Sequence, residues 1–165
     1  MTSRLDSGEG SGTVAPESNV LFDTWLASRA TVALLDGALA KSGLNADEFA
    51  IYSILAVGAD LTPTELAQWM SAPATTVSSY IRRFERRGHV QRVPNPDDGR
   101  SYRLALTEAG AAAHRRAARL FAPVLDEVST RLGGDVSDTQ RRLQRLHRTL
   151  HQVLAEAGLN PGSTG

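Results

Sequence analysis

The stretch NPDDGRSYRLALTEAG, Asn95–Gly110, opens with five consecutive turn formers, Asn95 to Gly99. Each favours a tight chain reversal for its own reason: fixed φ, an Asx hydrogen bond, or tolerance of positive φ. The alternating run YRLAL follows, and HVQRV, another short alternating run, precedes it. Alternation at period two predicts strands, so the segment is a hairpin of His89–Val93 against Ser101–Leu106 with Arg100 at its tip. TEAG then starts a helix, with Thr107 placed to cap it.

Working outward, the chain has 165 residues and a formal net charge of zero. That length fits one domain, or one plus an appendage, and can bury a core. The neutral total conceals asymmetry. Between Arg82 and Arg103 stand Arg82, Arg83, Arg86, Arg87, Arg92, Arg100 and Arg103 against Glu85, Asp97 and Asp98, a local balance of +4. A cluster of one sign points to an anionic partner, although a solvated charged face would also read this way. The chain has no Cys, which excludes disulfides, thiolate chemistry and Cys-based metal sites. No apolar run reaches the roughly 18 residues of a membrane span, and no signal-peptide stretch opens the chain. The expected location is the cytoplasm.

Residues 1–18 are rich in Ser, Gly and Thr without apolar periodicity and read as a disordered tail. Phe22, Trp25, Leu26, Leu34, Leu35, Ala38 and Leu39 recur at helical spacing, predicting a helix from Val20 to Lys41 stopped by Gly43. Asn45 and Glu48 form a capping-box pattern for a helix to Val57, with Phe49, Tyr52, Ile54 and Leu55 as core candidates. Thr62, Pro63 and Glu65 mark a third start, and Ser71–Pro73 a tight turn. A fourth helix runs from Ala74 to Arg87 and ends at Gly88. Beyond the hairpin, a fifth helix extends to Leu132, with a kink or break expected at Pro123. A sixth runs from Ser137 to Ala157. Leu143, Leu146, Leu150 and Val153 form an apolar stripe on it, suited to another helix.

Two helices joined by a tight turn and followed by a hairpin have the order of a winged helix-turn-helix. The fourth helix has two faces. Val77, Tyr80, Ile81 and Phe84 fall in one sector, while Thr75, Ser79, Arg82 and Arg86 lie opposite, flanked by Thr76, Arg83 and Ser78. Short hydroxyl residues at the leading end allow close approach to base edges beside the positive end of the macrodipole. Arginines further along reach phosphate or guanine.

Together, ELAQWM, TTVSSYIRRFERRGHVQR and NPDDGRSYRLALTEAG resemble the MarR family of bacterial transcriptional regulators. Asp98, Arg100, Leu106, Thr107 and Gly110 match that family's wing signature. The likeness is detailed over Asn45–Gly110; the flanking helices match in number and order. It implies a mainly α fold with a small β-hairpin wing: a winged helix-turn-helix domain over 45–106, and a helical dimerisation region over 19–44 and 107–158. It further implies a sequence-specific regulator of double-stranded DNA, a ligand-responsive repressor binding a pseudo-palindromic operator as a homodimer. By position, Thr75, Thr76 and Ser79 face bases, and Ser78, Arg82, Arg83 and Arg86 extend the contact. Arg100 enters the minor groove, and Asp98 orients that arginine or braces the hairpin. Ser79 stands where many relatives carry Arg, which moves base readout toward Arg82 or to water-mediated contacts.

The same resemblance implies a small aromatic anionic effector, for which Phe22, Trp25 and Arg29 on the first helix and Phe49 and Tyr52 on the second are the candidate lining. The alternative is that these aromatics are core. His147 and His151 have a spacing that permits metal binding, but no Cys or convergent carboxylate supports it, so neither metal nor cofactor is expected. No nucleophile elbow, phosphate loop or acid–base pair is present, so an enzyme is not expected. The rival function is a winged-helix protein-interaction module that does not bind DNA.

Overall fold

Four helices begin on side chains that receive their first amides. Asn19 accepts from the N–H groups of Leu21 and Phe22, Asn45 from Glu48, Thr62 from Glu65 and Thr107 from Gly110. At Asn45 and Thr62 the N3 glutamate returns the bond, completing both capping boxes; each such cap contributes about 1 kcal/mol. The computed structural model describes residues 18–58 and 60–159. The tail expected over residues 1–18 lies, except for Ser18, outside them.

The elements are α1 (Val20–Leu39), α2 (Ala46–Ala56), α3 (Pro63–Met70), α4 (Ala74–Arg86), β1 (Val90–Pro94), β2 (Tyr102–Leu106), α5 (Glu108–Leu132), a 3-10 turn over Gly133–Asp135, and α6 (Val136–Glu156). The hairpin begins one residue later than the alternation predicts. His89 closes α4 instead: its N–H donates to Phe84 O at 3.0 Å and that of Gly88 to Glu85 O at 2.9 Å, a Schellman closure with Gly88 at φ +69°. The expected break at Pro123 does not occur, and α5 runs uninterrupted through it. A proline removes one amide from the ladder, and a helix of 25 residues keeps the others on either side.

The hairpin pairs Val90 with Leu106 through to Pro94 with Tyr102. Leu61 adds a third, single-residue strand, its carbonyl accepting from Leu104 N–H at 2.9 Å; nothing in the sequence pattern signals it. The core is centred on α2. Ile51 and Tyr52 are fully buried, packed with Leu39, Leu66, Val77, Ile81, Phe84, Val90, Leu104, Ala113 and Ala117. Ile51 was not among the expected core residues of α2, and Ile54 is only partly buried. Ala113 and Ala117 present a small-residue face to the core cluster. Gly110 goes further, since a Cβ there would lie 2.0 Å from His89 O. That near-contact seats α5 against the base of the wing.

The surfaces of α1, α5 and α6 are different. Val20, Leu21, Phe22, Trp25 and Leu26 of α1, Leu120, Leu125, Val128 and Leu132 of α5, and Leu143 and Val153 of α6 are exposed. No residue of α6 is buried. Apolar side chains this numerous on adjoining elements mark an interaction surface.

Candidate nucleic-acid interface

Helix α4 is set by the turn before it. Ser71 ends α3 in the left-handed region at φ +48°, ψ +43°, and Ala72 N–H returns to Ala67 O. Pro73 is the N-cap of α4 and brings no side-chain hydrogen bond, so the first amides of α4 are left for an outside acceptor. Val77, Ile81 and Phe84 are buried and Tyr80 half-buried, as the sector of apolar positions predicts. Thr75, Thr76, Ser78, Ser79, Arg82 and Arg86 are exposed. Ser79 Oγ donates to Thr75 O at 2.9 Å and accepts a long contact from Arg82 at 3.5 Å. Its hydroxyl proton is thus engaged within the helix, leaving an acceptor lone pair outward. Ser79, Arg82, Glu85 and Arg86 line an open cleft of about 620 Å³ along this face.

Arg83 does not belong to that face. Its Nε lies 3.2 Å from Glu48 Oε1 on α2, with its guanidinium 4.9 Å from the Tyr80 ring centroid. Arg87 Nη1 reaches Glu48 Oε2 at 3.1 Å. Arg83, expected among the DNA-contacting arginines, is thus drawn toward a buried carboxylate. At 100° per residue, Arg87 falls about 20° from Tyr80 and Arg83 about 60°. The inward lean was legible in that spacing, although the acceptor was not. Tyr80 itself donates to Asp47 Oδ2 at 2.7 Å; burial and that carboxylate push its hydroxyl up to about 12.

At the wing tip the two aspartates do different work. Asp98 Oδ1 accepts from the backbone N–H of Arg100 at 2.9 Å, and Asp98 O from Ser101 N–H at 3.0 Å. Asp98 therefore braces the turn through the main chain and leaves the Arg100 side chain alone. Asp97 pairs with Arg103, whose Nε also donates to Asn95 at 3.0 Å. Arg92 is held by Glu85 and lies over the Tyr102 ring. Of the seven arginines in the basic segment, Arg83, Arg87, Arg92 and Arg103 are thus ion-paired. Arg82, Arg86 and Arg100 have no acidic partner among the described residues. Arg100 lines a second cleft, of about 430 Å³, with Asn95, Asp98, Ser101, Tyr102 and the start of α3 at Thr62–Thr64.

The five aromatic-site candidates divide. Tyr52 is fully buried and Phe49 nearly so. Tyr52 packs edge-on to Phe84 and its hydroxyl meets His89 Nδ1 at 3.1 Å; burial foremost pushes that hydroxyl up to about 12. Phe49 stacks on His114 and meets Phe121 edge-on. These two are core. Phe22 and Trp25 stack at 6.1 Å on the exposed face of α1, and Arg29, one turn on, is exposed too. His89 and His114 each meet a hydroxyl of α2, Tyr52 and Ser53 respectively. Burial lowers both from the usual imidazole range, helped by Arg87 at His89 and Arg115 at His114. His147 and His151 have ring centroids 4.4 Å apart, but no group of three potential metal ligands occurs among the described residues.

Comparison with known proteins adds four findings. Residues 42–101 match the family model described as MarR family. The Escherichia coli multiple antibiotic resistance protein MarR is 32% identical over 79 residues, 48% of this chain and 55% of that protein. The Mycobacterium tuberculosis transcriptional regulator MosR superposes with a TM-score of 0.68 at 28% identity, covering 82% of this chain and 98% of that one. A structure of MosR in complex with DNA matches at 0.64 and 29%, covering 85% and 98%.

Proposed function

We propose that this chain, whose residues 42–101 match the MarR family model, is a member of that family and a sequence-specific, double-stranded-DNA-binding transcriptional regulator, a ligand-responsive repressor acting as a homodimer in the cytoplasm. The observation that carries the proposal is the charge pattern after folding. The arginines left without acids, Arg82, Arg86 and Arg100, stand on the outer face of α4 and the tip of the wing, behind a row of hydroxyls. In this arrangement Thr75, Thr76, Ser78 and Ser79 approach base edges at the leading end of α4, Arg82 reads a base or reaches phosphate, and Arg86 meets the backbone. Arg100 enters the minor groove beyond, held in place by the turn that Asp98 braces. A protein-docking wing would instead present a neutral or apolar tip.

The division of labour follows the burial pattern. Residues 45–106 form the reading head, and α1, α5 and α6 offer their uncovered apolar faces to a second copy. Two-fold pairing then sets two reading heads on the two halves of a pseudo-palindrome. A small aromatic anion would find Phe22, Trp25 and Arg29 where α1 meets the partner. Nothing in the site calls for catalysis, and the MosR structure above is named as that of a transcriptional regulator. No helix among the described residues is long and apolar enough to cross a membrane.

Fluorescence anisotropy on duplexes tiling the chain's own upstream intergenic DNA tests the proposal. The expected result is one protected, near-palindromic segment bound at least a thousandfold more tightly than random duplex. Binding indistinguishable from random duplex at low salt would overturn it.

A further inference from the structure

The sequence RRFERR carries two adjacent arginine pairs, and folding splits each of them. Arg82 and Arg86 point outward, while Arg83 and Arg87, also one turn apart, lean onto Glu48. Glu48 is only 2% exposed. Its capping role requires one oxygen, Oε2, which accepts from Asn45 N–H at 3.3 Å. The same oxygen takes Arg87, and the opposite one, Oε1, faces Arg83. The approach of Arg83 is at ion-pair distance without hydrogen-bond alignment, so it is held chiefly by charge. Both arginine side chains remain more than a third exposed, at 39% and 37%. They are surface cations tethered from below, on the element proposed to enter the groove.

We infer that Glu48 is a specificity-determining residue that never touches DNA: it withholds Arg83 and Arg87 from the phosphate backbone. Phosphate contacts add affinity without regard to sequence. Each arginine kept back therefore lowers binding to random duplex while leaving base readout at Thr75, Thr76, Ser79 and Arg82 intact. The carboxylate acts by a competition that DNA phosphate would otherwise win, since an Arg freed of Glu48 has length enough to turn outward. Glu48 also fixes the orientation of α4 against α2 together with the Tyr80–Asp47 bond, but orientation alone does not account for two guanidiniums on one buried group. The inference rests on the DNA-binding function proposed above.

The test measures anisotropy on the operator duplex and on a random duplex of equal length, across a salt series, with the full chain. Glu48→Gln should raise random-duplex affinity about tenfold or more at 0.1 M salt and steepen its salt slope by about one to two. The operator-to-random ratio should fall in step. Glu156→Gln, an equal change of charge on α6, should move neither quantity. Adding Arg83→Gln and Arg87→Gln to Glu48→Gln should restore the wild-type slope. A purely structural Glu48 predicts the reverse: weaker binding to both duplexes with an unchanged or shallower slope, and that result overturns the inference. Where circular dichroism shows Glu48→Gln unfolded, Arg83→Gln with Arg87→Gln in the otherwise unaltered chain decides. An unchanged random-duplex slope supports withholding, and a slope shallower by about two refutes it. Wild-type protein that cannot tell operator from random duplex removes the DNA-binding function itself, whereas normal discrimination with an indifferent Glu48→Gln removes only the inference.

Discussion

Helices α2 and α6 are both assembled from apolar and polar residues at helical spacing, yet α2 buries six of its eleven residues and α6, with twenty-one, buries none. Around α2 the chain supplies its own partners: Leu39 before it, Leu66, Val77, Ile81 and Phe84 after it, and Ala113 and Ala117 from α5. Along α6 the stripe Leu143, Leu146, Leu150 and Val153 meets no comparable surface within the chain, and Leu143 and Val153 are each 55% exposed. The same periodicity thus serves two purposes, and only the folded chain shows which. One stripe closes a core; the other is left uncovered, and under the proposed function it is the face offered to a second copy about a two-fold axis.

The comparison breaks most severely at Gly110, where the core-forming half is tightest. Gly110→Ala forces a methyl toward His89 O, and stability in urea should fall by about 3 kcal/mol, the upper end of overpacking costs. Gly134→Ala, beside the start of α6 with nothing within 4 Å of the added carbon, should stay within about 0.5 kcal/mol. Equal effects at both glycines would contradict the contrast. Next in size is Leu143→Glu. An apolar side chain buried twice across a two-fold interface contributes about 3 kcal/mol or more, so the dimer should weaken at least a hundredfold in sedimentation equilibrium. Far-UV circular dichroism should keep the helical signal of the reading head, and loss of both together would mean α6 is needed for the fold itself.

Smaller again is Arg100→Ala, which leaves core and dimer untouched. Operator affinity should drop about tenfold and the salt slope flatten by about one, read by anisotropy. An unaltered slope with unaltered affinity would exclude the wing from the interface. The gentlest probe is pH. His89 and His114 both titrate below the usual imidazole value in the folded chain, so the unfolded chain binds more protons between the two values. Stability is then complete above about pH 6.5 and declines as pH falls through the lowered folded values. Melting temperature should fall with acidification over that window, less so in His89→Gln with His114→Gln. A melting temperature rising there would reverse the assigned direction.

What could be read from the sequence was mostly local. Asn45, Thr62 and Thr107 announce helix starts because a cap acts within three residues, and the wing follows from turn chemistry beside period-two alternation. The two faces of α4 were legible for the same reason. The contribution of Leu61 to the wing sheet was not, since one residue carries no period. The acceptor of Arg83 was not either, because it lies thirty-five positions away on another helix. Glu48 looked like a cap residue and is one, but a local motif does not disclose a second, long-range partner. The candidate aromatic site divided because Phe49 and Tyr52 face α4 and α5, while Phe22 and Trp25 sit on a face that the single chain leaves bare. Of the kink or break expected at Pro123, the break is absent, since one missing amide does not end a helix of that length.

A ribbon only two strands wide has two raw rims, each a template on which another chain can add by edge pairing. The wing blunts both. Leu61 takes the amide of Leu104 on the β2 rim, and the register that turns that amide outward also turns the ring nitrogen of Pro94 outward from β1, where there is no hydrogen to offer. A probe thrust out from the body on a bare hairpin would ordinarily be the place where copies of a protein clump at high concentration; this one can project without recruiting strands from its neighbours.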